Sequence, residues 1–218
     1  MNILDYKQLI KNLPVNQQAL TTKRITWQKA EENNEWLKII NNELFENNDS
    51  LTLSRQDIFN TNEIRKIIIK TIYWGYTRGM RGNNFQNILN NIDLLEKTLI
   101  ELKSKSENEK IESIDLIIFK KIKGLGLSTY SKLLYFLNIN FNNLPCLILD
   151  QRLIDVFSSR KFIQFNKLNN ISNYNAERKY LDFLVVTNHI ANEIQTENEN
   201  IEQFLFIFGN NLKNKIDE

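Results

Sequence analysis

The residues best placed to do chemistry fall between positions 119 and 157. Phe119-Lys120-Lys121-Ile122-Lys123 runs into Gly124-Leu125-Gly126, and Leu127-Ser128-Thr129-Tyr130-Ser131-Lys132-Leu133-Leu134 follows. An apolar-x-Gly-apolar-Gly turn between two helices can aim several main-chain amides outward at the positive start of the second helix. Glycine permits this because it accepts positive φ and lets another backbone come close. Ser128 and Thr129 add hydroxyls at that start and either can cap it, while Lys123 and Lys132 bring charge on either side. Such a turn can hold a phosphate without reading a base. It can equally be an ordinary helix C-cap and αα-turn that serves only packing.

Charge patterning favours the anion reading. Leu116 to Leu149 contains no Asp or Glu, yet it holds Lys120, Lys121, Lys123 and Lys132. The whole chain has 28 Lys plus Arg against 26 Asp plus Glu, a formal charge of +2, so this basic stretch stands out from a nearly neutral background. Downstream, Pro145-Cys146-Leu147-Ile148-Leu149 leads to Asp150-Gln151-Arg152-Leu153-Ile154-Asp155-Val156-Phe157. Taken alone, Asp150 reads as a helix N-cap.

Helices must position these groups, since apolar residues recur mostly at three- and four-residue steps. The spacing predicts helices over Trp27 to Phe45, from an Asn60-Thr61-Asn62-Glu63 capping signature through Tyr73, and over Asn84 to Leu102. Lys103 to Glu109 reads as a polar connector, with Ser106-x-x-Glu109 opening a helix that runs to Ile122. Further helices are expected over Thr129 to Leu137, from Asp150, over Asn175 to Ile194 and over Ile201 to Leu212, while Arg160 to Asn173 is undecided. Leu144 to Leu149 is the one short run that could be extended. The Asn pairs (Asn33-Asn34, Asn41-Asn42, Asn83-Asn84, Asn142-Asn143) are given no functional weight. The fold class that follows is all-α.

Composition closes several other routes. One cysteine, Cys146, leaves no disulfide framework, Cys-rich zinc site or four-cysteine iron–sulfur cluster. One histidine, His189, leaves a His-based triad a single candidate, and it reads as structural. No run approaches about eighteen apolar residues, and Met1 to Leu20 lacks the layout of a signal peptide, so a soluble protein of a reducing cytoplasm is expected. At 218 residues and 42% apolar, the chain can bury a sizeable core as one domain or two joined lobes.

Together the hairpin Ile122-Lys123-Gly124-Leu125-Gly126, the Ser128-Thr129 helix start and Asp150-Gln151-Arg152-Leu153 resemble the helix-hairpin-helix (HhH-GPD) DNA glycosylase superfamily. The stretches Trp74-Gly75-Tyr76-Thr77-Arg78-Gly79-Met80-Arg81-Gly82-Asn83 and Ser131-Lys132-Leu133-Leu134-Tyr135-Phe136 look most like its bacterial 8-oxoguanine glycosylase-like branch. The motif-level resemblance covers residues 119–157 and a looser one 65–210. It implies a two-lobed helical fold across 1–218, here with an N-terminal helical extension over 1–59 and a core over 60–218 carrying the hairpin at about 119–137.

The resemblance also implies a chemistry. Asp150 becomes the catalytic carboxylate, stabilising positive charge on a deoxyribose as a flipped base leaves; Asp155 is the runner-up. Lys123, Gly124, Leu125, Gly126, Ser128, Thr129 and Lys132 become the DNA-binding set. Relatives that also cut the backbone have a lysine two residues after the second hairpin glycine, where this chain has Ser128, so base removal by water without a lyase step is implied. The carbonyls of Lys120, Ile122 and Leu125 would hold a monovalent or divalent cation, with no other cofactor expected. Trp74, Tyr76, Arg78 and Arg81 are candidates for the base pocket or for DNA contact, or else core aromatics and a solvated helix end. The implied partner is double-stranded DNA, with no membrane and no obligate protein partner. Oxidised purines and a hypermodified phage base are the substrate classes expected. The rivals are a non-catalytic helix-hairpin-helix DNA-binding protein and an all-α scaffold that binds no DNA.

Overall fold

A computed structural model of the chain describes residues 1–213; the last five positions of the expected core lie outside the described residues. Eleven α-helices are found among them, with short 3-10 turns and two small sheets. Helix α5 (Ile64–Gly75) runs through the core, burying Ile67, Ile68, Ile69, Ile72, Tyr73 and Trp74. It packs on α8 (Leu127–Phe136), the second helix of the hairpin. The buried apolar residues from Ile3 to Leu205, Val15 aside, form one connected cluster.

Asparagine explains most departures from the helices that periodicity predicts. The run 27–45 is cut into α2 (Gln28–Glu31) and α3 (Glu35–Phe45). At the cut, the Asn33 and Asn34 side chains donate to the Lys29 and Ala30 carbonyls and replace the backbone donors that would have continued the helix. The run 84–102 is cut the same way into α6 (Asn84–Leu89) and α7 (Ile92–Asn108), with Asn91 donating to the Asn87 carbonyl. Asn142 and Asn143 both take positive φ, 51° and 61°, and make the tight turn between β3 (Asn140–Phe141) and β4 (Leu144–Pro145).

Three expectations fail. Lys103 to Glu109 is not a connector: α7 continues to Asn108, with Lys103, Lys105 and Glu107 as good helix formers. Ser106 opens no helix, its hydroxyl accepting instead from the Asn140 amide. The arm expected as a helix to Ile122 is a 3-10 helix over Asp115–Lys121. The Asn60 capping signature is likewise unused, since Glu63 precedes α5 without a side-chain cap. A reciprocal box forms one element earlier, where Ser54 and Asp57 cap α4 (Arg55–Phe59).

Segment 1–59 holds, besides α1 (Lys7–Lys11) and α2 to α4, an antiparallel ribbon that periodicity does not mark. Strand β1 (Ala19–Lys23) pairs with β2 (Ser50–Ser54) in the register Thr21↔Thr52, where the two hydroxyls meet at 2.8 Å. The segment is tied to the far end of the chain. The Met1 amino group donates to the Lys161 carbonyl at 2.6 Å, and Asn200 donates to the Ile10 carbonyl at 3.0 Å. Arg55 and Glu202 form a fully buried ion pair at 2.8 Å between α4 and α11 (Asn198–Phe208).

Candidate active site

The hairpin is held closed by Phe119 and Tyr130, whose rings stack at 4.8 Å across its two arms. Ile122, Leu125 and Leu127 are buried beneath the turn, while Lys123 and Gly126 face solvent. Gly124 takes φ +88° and lies against the backbone of Asn84. The Thr129 and Tyr130 amides return to the Gly126 carbonyl, and no side chain caps α8. Among the described residues the Leu127 and Ser128 amides therefore have no acceptor. That is the open, electropositive end the sequence motif calls for.

Two other members of the expected binding set, Thr129 and Lys132, turn inward. Thr129 is buried and its hydroxyl meets the Tyr76 hydroxyl at 2.6 Å. Lys132 is 3% exposed. Its amine donates to the Ser128 carbonyl at 2.7 Å and lies 3.1 Å from the Ser128 hydroxyl, 5.4 Å from the centre of the Tyr76 ring. A side chain at Gly75 would meet the Lys132 stem at 2.9 Å, so that glycine on α5 leaves the room the lysine fills.

Asp150 is delivered to the same place by a buried run without regular secondary structure, Cys146 to Leu149. Its backbone is satisfied by hydroxyls from two helices. Tyr180 on α10 (Ala176–Ile194) accepts from the Leu147 amide and donates to the Leu147 carbonyl, and Ser131 on α8 accepts from the Leu149 amide at 3.2 Å. Asp150 then caps α9 (Gln151–Ser158): its Oδ1 accepts from the Arg152 and Leu153 amides. Oδ2 has no hydrogen-bond partner among the described residues. Asp150, Ser128, Lys132 and Tyr76 line one cleft of about 380 Å³.

Sequence reasoning missed part of that wall. Leu20, Gly75, Thr77, Gln151, Arg152 and Phe206 also line it, with the Arg152 guanidinium 4.7 Å over the Phe206 ring. Arg152 lies within the aspartate signature. Phe206 lies on α11, where it is only partly buried. Leu20 had no local signal, because it reaches the cleft only through the ribbon.

The Trp74–Asn83 stretch divides. Trp74 is a core residue, edge-on to Phe136 at 5.5 Å and under the Arg55 guanidinium, with its indole N–H on the Gln18 carbonyl. Tyr76 lines the cleft. Arg78 and Arg81 are exposed and form no ion pair among the described residues, on a loop that turns at Gly79 and Gly82 with positive φ and joins the hairpin where Asn84 meets Gly124. Beneath the cleft, burial pushes the Glu202 carboxyl up; Arg55 opposes this and the charges of Asp150 and Glu199 add to it.

A family model described as "Putative 8-oxoguanine DNA glycosylase OGG-like protein" matches residues 13–206, which include the ribbon, the hairpin, Asp150 and Phe206. The chain belongs to this OGG-like family. No curated protein and no solved structure matches it. The all-α architecture is that of an OGG-like glycosylase fold, and the family relation makes its function DNA glycosylase-like, with DNA as the substrate. Among the described residues, no helix is long and apolar enough to cross a membrane, and no group of three His, Cys, Asp or Glu side chains could hold a metal ion. The OGG-like hairpin lacks a lysine two residues after its second glycine, where Ser128 stands.

Proposed function

We propose that this OGG-like protein excises a modified base from duplex DNA by hydrolysing its N-glycosidic bond. The observation that carries the reading is the free Oδ2 of Asp150, in the same cleft as the first turn of the hairpin helix. The two carboxylate oxygens divide the two roles that the residue could have: Oδ1 is fixed by two peptide amides, and Oδ2 is left for chemistry. As the base leaves, positive charge grows at C1′ of the deoxyribose. A carboxylate held in place there stabilises it and orients the attacking water.

The open amides of Leu127 and Ser128, with Lys123 beside them, would hold a phosphate and set the strand across the cleft. Neutral carbonyl oxygens of the preceding turn, those of Lys120, Ile122 and Leu125, suit a cation that would screen that phosphate; the Ile122 oxygen already accepts the Leu125 amide at 3.1 Å and would use its second lone pair. The flipped base would enter between Tyr76 and Phe206, with Arg152 at the rim. An oxidised purine, or a hypermodified base of phage DNA, is the substrate class we propose.

The test is base release from duplex oligonucleotides carrying a panel of modified bases, read by alkaline cleavage. The Asp150→Asn variant should bind the same duplexes and lose excision by about 10²–10⁴-fold. Full excision by that variant would sink the reading; binding without excision by the wild type on every base would favour a DNA-binding module.

A further inference from the structure

A single apolar side chain on a surface is ordinary; neighbouring ones beside a concavity floored by aromatic rings mark a place where something docks. The first arm of the hairpin carries such a feature. It is the 3-10 helix over Asp115–Lys121, with Ile114 at its start, and side chains three apart in such a helix eclipse. Ile114, Ile117 and Lys120 therefore stand in one row. Ile114 is 69% exposed and Ile117 46%. The row lines a groove of about 290 Å³. The buried rings of Tyr130, Phe141 and Tyr180 line the same groove, and Arg178 lines it from the first turn of α10. None of its lining residues belongs to the Asp150 cleft.

Charge selects the occupant. Lys120 on the hairpin arm is paired with Glu177 on α10 at 2.9 Å, so these two cancel. Arg178 has no carboxylate partner among the described residues, and Leu116 to Leu149 offers no acid. The groove is left with one uncompensated guanidinium beside an apolar row. An apolar side chain with a carboxylate next to it satisfies both, and Arg pairs with carboxylates through two parallel hydrogen bonds. DNA fits less well: the Glu177 carboxylate repels phosphate, and protein–DNA interfaces are polar and strongly basic rather than lined by isoleucine. The volume lies at the lower limit of small-molecule pockets, about 300 Å³, and suits one or two side chains of a peptide.

We propose that this groove binds an acidic, apolar segment of a partner protein. A large apolar side chain enters against Ile117, Tyr130 and Tyr180, and a carboxylate beside it pairs with Arg178. The apolar anchor supplies most of the affinity, and the ion pair supplies selection and salt sensitivity. The partner and a duplex in the Asp150 cleft compete for no residue, so the hairpin carries both at once. The proposal stands on the groove alone and is independent of whether Asp150 excises a base.

The test uses the full chain as bait for a library of random linear peptides displayed on phage. Sequences with a large apolar residue next to Asp or Glu should be enriched. Synthetic copies of them should bind in fluorescence anisotropy and weaken with salt. Ile117→Glu and Arg178→Glu, both surface changes that should leave thermal melting unaltered, should each weaken those peptides by at least about tenfold. Duplex affinity should be the same in both variants as in the wild type. No enrichment, enrichment of sequences without acids, or a peptide that binds a folded Ile117→Glu variant at full strength would overturn the proposal. So would loss of duplex affinity in these variants, which would give the groove to DNA. Concentration-dependent dimerisation abolished by Ile117→Glu in sedimentation velocity would overturn it as well, by giving the groove to a second copy of the chain.

Discussion

A side-chain carbon at Gly124 would stand 2.7 Å from the carbonyl oxygen of Asn84. The hairpin turn and the Arg78–Asn84 loop are thus locked together by the absence of a side chain at one position. Gly124 also holds φ +88°, where L-residues are strained. Gly124→Ala should therefore cost about 1–3 kcal/mol of stability and weaken duplex binding, because either the turn or the loop must move. Thermal unfolding and fluorescence anisotropy check it; an unchanged melting temperature would contradict the packing described.

Asp150 separates cap from chemistry by substitution. Asn accepts the same two amides and is as good an N-cap, whereas Ala removes the acceptor. Asp150→Asn should melt like the wild type, and Asp150→Ala should lose about 1 kcal/mol. Equal melting of the two variants would show that Oδ1 does not hold the start of α9.

Lys123 is exposed at the open end of α8 and is expected at a phosphate. Lys123→Ala should leave melting unchanged and lower the slope of log affinity against log salt by about 0.9 for one lost contact. The same holds for Arg78→Ala and Arg81→Ala if their loop follows the backbone. A slope that does not change would place these charges off the DNA.

Arg55 and Glu202 are both fully buried, with the guanidinium 5.4 Å over the Trp74 ring and 5.0 Å over that of Tyr135. Glu202→Gln leaves a buried cation without its counter-charge and should destabilise by about 3–5 kcal/mol. The double variant Arg55→Met with Glu202→Leu should recover much of that loss. Urea unfolding measures both. A tolerant Glu202→Gln would mean that the pair is not the anchor between α4 and α11.

Burial pushes the Cys146 thiol up to about 12, against a smaller opposing effect of the Tyr180 hydroxyl, and raises the hydroxyls of Tyr130, Tyr135 and Tyr180 as well. Groups raised in the fold favour it fully below their ordinary values. That stability is lost as pH rises from the usual thiol range near 9 towards the raised values. Denaturant midpoints should fall progressively above that range. At pH 8 a thiol reagent should modify Cys146 only as fast as the chain opens; immediate modification would show that the residue is accessible.

The sequence by itself determined the helices with a strong apolar period, the diglycine turn, the acid-free basic stretch and the cap at Asp150, because each is written in neighbouring residues. Local signals also misled: Asn60 and Ser106 offered caps that were not used, and asparagine pairs cut helices that periodicity ran together. What only the tertiary structure decided is where the side chains of α8 point and what meets them. Lys132 reads in the chain as a DNA-binding charge beside the hairpin turn, yet it turns inward because Gly75, some sixty residues away, leaves a channel for it. Arg152 and Phe206 become neighbours of Asp150 only when α9 and α11 pack together, and Leu20 joins them only through the strand pairing of β1 with β2. Spacing along a helix places a residue on a face; whether that face meets water, a carboxylate or a cleft depends on elements distant in sequence, and no local pattern records them.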